Sequence, residues 1–193
     1  MANRLRKAAM VMALAAGALV VPRVGSAADG APFSAAIDPK AHLRPTTAAV
    51  ASLVARAMEG SETFRQIVRT IEESDTYVYV IEGECGHGVR ACFSGITTAG
   101  ARRIMRVTVE LNARERDWYV MGTIGHELRH TVEAIEHPTV RSSEAQFFLY
   151  QRIGFKGTAY STETRAAMDA GNAVRAEIRK SARVGREFIH PAP

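Results

Sequence analysis

Two histidines and a glutamate stand at a spacing that suits a metal ion and a base. His126, Glu127 and His130 form the pattern His-Glu-x-x-His. Because residues four apart lie one turn above each other on an α-helix, both imidazoles can reach one ion about 2 Å away. Glu127 projects about 100° around the helix, beside such an ion, where its carboxylate can accept a proton from bound water. The spacing therefore predicts two metal ligands and a general base on a single turn.

The residues around this pattern have the periodicity of a helix with two unlike faces. The apolar stripe comprises Met121, Ile124, Leu128, Val132 and Ile135, and the opposite polar stripe comprises His126, His130, Glu133 and His137. We expect the apolar stripe to dock on a core and the polar stripe to face a cleft. Asn112 or Asp117 can cap this helix, which should end before Pro138.

A catalytic zinc site of this kind needs a third protein ligand and an open position for water. Glu133 lies two turns from His126 on the predicted helix, so one ion can hardly bind Glu133 together with His126 and His130. We expect Glu133 instead to orient His130 or to pair with an arginine. Glu144 and Glu163 each lie near the start of a later predicted helix and remain as candidates. Spacing alone does not decide between them.

The segment from Leu111 to about Glu177 resembles the gluzincin branch of the zincin metallopeptidases. It is also similar to a group of uncharacterised secreted bacterial proteins. The matching elements are Gly125 to Glu133 (Gly-His-Glu-Leu-x-His-x-x-Glu), Val140-Arg141, Tyr150 to Gly154, and Glu163 to Ala167. The resemblance implies a zincin-like fold, a Zn²⁺ ion with Glu163 as its third ligand, and hydrolysis of peptide bonds. It also makes Asp169 a candidate for the acid that supports a histidine ligand.

The predicted mechanism is attack of metal-activated water on a peptide carbonyl, with Glu127 as general base. We expect a peptide or protein partner, which could lie as an added strand along residues 104–111. Side chains that could stabilise the oxyanion are Tyr150, Tyr160, His137 and His190. The alternative function is a zinc-binding structural or interaction module without turnover.

The N-terminus predicts export. Arg4, Arg6 and Lys7 precede an apolar run over residues 8–21, and small residues follow at 26–28, as in a secretory signal peptide. Residues 1–28 hold four cationic side chains and no acid, so their removal lowers the formal charge from +5 to +1. The nearly neutral remainder gives no indication of a nucleic-acid partner, and cleavage leaves no membrane anchor. We therefore expect a periplasmic or extracellular bacterial protein.

Two cysteines, Cys85 and Cys92, flank a glycine-rich stretch between two strand-like runs. In an exported protein they are expected to form a disulfide that closes a hairpin. A Cys/His metal site that includes His87 is the alternative, although no second cluster of ligands completes it.

The order of the predicted elements indicates an α+β fold. Residues 29–45 are expected to form a flexible leader, and residues 46–193 a single domain. A helix or helix pair should begin after Thr46 or Thr47 and run to about Glu73, with a break at Gly60. Strands are predicted at 76–81 and 104–111, with a third at 91–97, in a small antiparallel sheet packed on the metal-site helix. Further helices are predicted at 143–153 and 162–183.

Overall fold

The structure, a computed structural model, describes residues 38, 40–86, 88–112, 114–157 and 162–189, with side chains to residue 183. The predicted signal peptide and most of the predicted leader lie outside these residues. The same holds for His87, Tyr160 and His190.

Helices and strands occupy largely separate stretches of the chain, as in an α+β fold. In chain order the elements are β1 (Leu43–Pro45), α1 (Ala48–Gly60), α2 (Glu62–Glu72), β2 (Thr76–Glu82), β3 (Ala91–Ala99), β4 (Arg102–Val109), α3 (Asp117–Ile135), α4 (Ser143–Ile153), β5 (Phe155–Lys156), β6 (Thr162–Glu163) and α5 (Arg165–Ile189). The α+β prediction is confirmed at this level.

Hydroxyl side chains set where several helices begin, since each accepts a hydrogen bond from a backbone N–H of the first turn. Thr47 caps α1, Ser61 caps α2 and Ser142 caps α4. The predicted break at Gly60 is confirmed, because Ser61 starts a new helix there. The predicted cap of α3 is wrong: the residue before its first turn is Arg116, whose side chain makes no capping bond.

The four-stranded sheet is mixed, so the predicted antiparallel arrangement is wrong. Its strand order is β1-β2-β4-β3, with β1 and β4 parallel to β2 and only β3 antiparallel to β4. A tight turn at Gly100, which has φ 59°, pairs β3 with β4. Because β3 runs opposite to β2, the reversal at this turn makes β4 run in the same direction as β2. Strand β4 then lies between β2 and β3.

This arrangement changes two further predictions. The disulfide Cys85–Cys92 is present, but it closes a connection that crosses the end of β4, because β2 and β3 are not paired with each other. The strand predicted to receive an extended peptide, β4, has a neighbour on both sides. The edge strands are β1 and β3, and of these two β3 lines the cleft described below.

The predicted leader extends too far, because Leu43–Pro45 form β1. The Leu43 side chain is buried, and the backbone N–H groups of His42 and Leu43 donate to the Glu72 carboxylate at the end of α2. Parallel pairing with β2 and this carboxylate hold the segment in place.

The buried apolar side chains of the described residues form one core cluster. Helix α3 runs through it and contacts α5, α2, α1, β3 and β4. Among the described residues, no helix combines the length and the apolar character needed to cross a membrane.

Candidate metal centre

Helix α3 carries the His-Glu-x-x-His pattern in a buried setting. Its predicted apolar stripe is in the core, where Ile124 and Leu128 are fully buried. Half of the polar stripe is buried as well: His130 and Glu133 are each 4% exposed, whereas His126 and His137 are half-buried. Buried polar groups are stable only where they find partners, so these side chains must be explained by what surrounds them.

The carboxylate of Glu163 meets the two histidines. Glu163 Oε2 lies 2.9 Å from His126 Nε2 and 3.8 Å from His130 Nε2. The three ligand atoms all lie within 4.8 Å of one another. Glu163 belongs to β6 and stands two residues before α5, so it precedes the helix on which it was expected. The cause is Thr164, whose hydroxyl accepts from Ala167 N and caps α5 at that point.

These three residues fit a zinc ion. Atoms bound tetrahedrally at 2.0–2.2 Å lie roughly 3.4 Å apart, between the two measured distances to Glu163. Glu163 Oε2 is buried and has no partner with hydrogen-bond geometry, although His126 Nε2 is close to it. A buried oxygen that is close to a nitrogen but not hydrogen-bonded to it is expected where both atoms point toward a common position for an ion. Two imidazoles and one carboxylate are also a known ligand set of catalytic zinc.

Glu133 supports the site through the Nδ1 side of the His130 ring, which is a role that the helix spacing predicted. Its Oε2 lies 2.9 Å from His130 Nδ1, and its Oε1 accepts a hydrogen bond from the Thr164 hydroxyl. One buried carboxylate therefore orients a histidine of α3 and holds the residue that follows Glu163. Such partners fix the ring orientation and tautomer of a metal-binding histidine.

Two glycines allow α5 to lie close to α3. A Cβ on Gly122 would stand 2.1 Å from Arg175 Cγ, and one on Gly171 would stand 3.0 Å from both Gly122 O and His126 Cβ. The close approach brings the start of α5, and Glu163 before it, against His126. Gly122 and Gly171 were not among the residues predicted to shape the site. The sequence does contain a signal for this close packing: a glycine within a helical pattern costs about 1 kcal/mol relative to alanine and usually has a packing reason.

Glu127 is buried beside the histidines. Its Oε1 lies 4.0 Å from His126 Nε2, and the backbone N–H of Phe93 in β3 approaches the carboxylate. Burial raises the pKa of Glu127, and the two histidines oppose that shift. The carboxylate thus lies next to the convergence point of the three candidate ligands without belonging to that group.

The charges at the site influence one another strongly. Burial lowers the pKa of His130, but the adjacent Glu133 and Glu163 outweigh it and raise that pKa to about 9. The nearby His126 and His130 hold the pKa of Glu163 far below its ordinary value, against the effect of burial. Three carboxylates, those of Glu127, Glu133 and Glu163, thus surround two imidazoles, which is a favourable environment for a cation.

Four other predicted residues lie outside this group. Glu144 is exposed in the first turn of α4. Asp169 is exposed on α5, and its side chain has no hydrogen bond or ion pair to a described residue, so its predicted support of a histidine is wrong. His137 Nδ1 bonds the carbonyl of Glu133. Tyr150 lines the cleft, but its hydroxyl donates to the carbonyl of His130 and so supports α3.

A cleft of about 660 Å³ opens over these residues. Its walls include the edge strand β3 from Ala91 to Gly95, the polar face of α3, part of α4, and Arg175 of α5. Arg175 was not predicted as a site residue, because nothing in the spacing of α5 connects it to the His-Glu-x-x-His pattern. Comparison of the chain with protein-family models, with curated proteins and with solved structures found no match.

Proposed function

We propose that this protein is an exported zinc-dependent hydrolase of peptide bonds, acting in the manner of the gluzincins with a zincin-like fold. The supporting observation is the convergence of His126, His130 and Glu163 on one point, with the buried carboxylate of Glu127 beside it. A site that only stabilises the fold needs no general base. The cleft above the site gives a substrate access to it.

Zinc bound there supplies a Lewis acid that lowers the pKa of water and polarises a carbonyl group. His126 Nε2, His130 Nε2 and Glu163 Oε2 would hold the ion, and Glu133 would keep the His130 ring in position through Nδ1. Glu127 accepts a proton from the attacking water at its carboxylate and delivers it to the leaving amine.

The edge strand β3 is the proposed support for the substrate backbone. It pairs with β4 on one side only, and residues 91–95 line the cleft. An extended peptide can add to such an edge through main-chain hydrogen bonds. Farther along β3, the N–H of Ile96 already donates to the Ser143 hydroxyl, so α4 limits how far the peptide can extend.

Export is proposed from the predicted signal peptide and is compatible with the disulfide, which is typical of oxidising compartments. The peptide or protein substrate would then be met in the periplasm or outside the cell.

Metal analysis tests the ligand set. The purified protein should bind one zinc ion, Glu163→Ala should lose it, and Glu144→Ala should retain it, since Glu144 is exposed and lies outside the group. Zinc is measured by elemental mass spectrometry after gel filtration. Equal zinc content in the wild type and in Glu163→Ala would contradict the proposed ligand set.

A peptide-library assay then tests the reaction. Glu127→Gln should keep its zinc and lose hydrolysis by 10²–10⁴-fold, roughly the contribution of a general base. Retained turnover in this variant excludes Glu127 as the base. Zinc binding without any cleavage by the wild type would instead identify the site as a binding or structural module.

A further inference from the structure

Arg175 differs from Arg90, the other arginine in the described cleft wall. Arg90 is paired with both Glu110 and Glu115. The guanidinium of Arg175 donates only to neutral acceptors: NH1 to Asn172 Oδ1, and NH2 to Thr123 Oγ1. Among the described residues, no carboxylate compensates its charge.

The environment of Arg175 holds the guanidinium in a fixed place. Its side chain lies across Gly122 of α3, and its Cζ lies 4.8 Å from the centre of the Tyr119 ring. Nε is buried and has no hydrogen-bond partner among the described residues. A charged side chain that is held in this way, yet lacks an anionic partner, costs stability unless a ligand completes it.

The donors that remain suit a carboxylate. An arginine carries five N–H donors in a planar fork, and the contacts above use one hydrogen each on NH1 and NH2. The second hydrogen on each nitrogen is left for an acceptor, and a carboxylate can bind such a pair with both oxygens. Arg175 lines the cleft together with Thr123 and Tyr119, the two α3 side chains that it contacts.

Helix geometry relates this position to the metal centre. Thr123 precedes His126 by three residues on the same face, which is about 4.5 Å along the axis. Residues of an extended peptide are spaced by about 3.3 Å. The step along α3 from His126 to Thr123, where the Arg175 guanidinium is hydrogen-bonded, is therefore comparable to one residue of an extended peptide.

We propose that Arg175 binds a carboxylate of the substrate and makes the cleft selective for peptides that present a carboxylate next to the cleaved bond. This inference rests on the proposed function for the position of the peptide. The carboxylate is either an aspartate or glutamate side chain flanking the cleaved bond or the C-terminal carboxylate of the peptide, two sources with the same chemistry. An acidic side chain selects an internal site, whereas a terminal carboxylate selects the end of a chain.

The test uses matched peptides. After mass spectrometry has located cleavage in a mixed library, peptides are made with Glu or Gln at each position flanking the bond, each with a free or amidated C-terminus. The kcat/KM values are measured for wild type, Arg175→Gln and Arg175→Lys, and thermal unfolding checks each fold.

We expect wild type to prefer one carboxylate form by roughly 10–100-fold, the range for a hydrogen-bonded charge pair. Arg175→Gln should lose this preference, because kcat/KM falls more on the carboxylate peptide than on the neutral one. Arg175→Lys should keep part of it, since it retains the charge but not the fork. The peptide pair that responds identifies the source.

Two kinetic results would overturn the proposal. One is a preference for the carboxylate peptide that is unchanged in Arg175→Gln. The other is an equal loss of kcat/KM on acidic and neutral peptides, which would mark Arg175 as a positioning residue. Calorimetric titration of matched Glu and Gln peptides from the library, with free and amidated C-termini, into metal-free protein and into zinc-loaded Glu127→Gln gives a readout without turnover. If the wild type cleaves nothing, the proposed hydrolase fails, and carboxylate-selective binding that depends on Arg175 still supports the inference. Equal binding of acid and amide by wild type overturns it.

Discussion

Two arginines reach α3 from different elements, and they differ in what surrounds them. Arg103 of β4 is 3% exposed, and its guanidinium donates to Asp75 and to the carbonyls of Ala134, Ile135 and Val140. Arg175 of α5 stands in the cleft wall without an acidic partner among the described residues. A charge with all its partners inside the protein stabilises the fold, whereas an uncompensated charge beside a cleft is available to a ligand.

The largest effect on stability is expected when Arg103 is removed. Arg103→Met leaves the last carbonyls of α3 without their donor and should lower the free energy of unfolding by about 3 kcal/mol. Arg175→Met, the matched control, should change it by less than about 1 kcal/mol, because the loss of hydrogen bonds to neutral groups is offset by removal of an uncompensated charge. Urea denaturation measures both. Equal losses would remove the distinction between the two arginines.

A somewhat smaller effect is expected from the disulfide that borders the cleft. Replacing Cys85 and Cys92 by serine opens a short loop, with a sequence separation of 7, and should cost about 2.5 kcal/mol from loop-closure entropy. Cys92 also lines the cleft next to Phe93, whose N–H approaches Glu127, so turnover should fall too. Unfolding is measured with and without reductant. Reductant should reproduce the loss in wild type and leave the double variant unchanged.

Glu133 provides a test on the cleft side of α3. Glu133→Gln retains the size of the side chain but weakens its hold on His130 Nδ1, and zinc affinity should fall 10–100-fold. Competition with a chromophoric chelator measures that affinity. Glu136→Gln is the control, because Glu136 is exposed on the next turn and pairs with Arg129. A similar loss in both variants would point to a general effect of charge.

The smallest effect is expected at Glu177, two residues after Arg175 on α5. Its carboxylate accepts hydrogen bonds from Ser61 Oγ, Thr63 N and Thr63 Oγ1, which lower its pKa although burial alone would raise it. Because the folded-state pKa is lowered, this stabilisation is present above the ordinary pKa near 4.5 and is lost as the pH falls through the folded value.

Glu177→Gln should therefore lower the free energy of unfolding by about 1 kcal/mol at pH 7 and by much less near pH 3. Chemical denaturation at both pH values measures the difference. Glu73→Gln, an exposed change at the end of α2, should have little effect at either pH. A loss at Glu177 that does not depend on pH would mean that the carboxylate charge contributes nothing.

Local patterns in the sequence predicted many individual elements. Helix periodicity placed His126, Glu127 and His130 on one turn, and it predicted that Glu133 meets His130, because three- and four-residue spacings are neighbours on any α-helix. The Gly60 break and the Cys85–Cys92 bridge followed from equally local chemistry. Errors arose where a pattern left more than one partner open. Nothing in the residues of β2, β3 or β4 states which of these three strands lies between the other two.

The sequence by itself determined the two imidazoles and the carboxylate on α3, since the backbone of a helix sets their relative positions whatever else the chain does. Only the tertiary structure shows that Glu163, and not Glu144, lies beside the two imidazoles, because that placement depends on how closely α5 packs against Gly122 of α3. The same packing puts Arg175 beside the cleft. Contacts between distant parts of the chain depend on the fit of whole surfaces, and no local spacing records that fit.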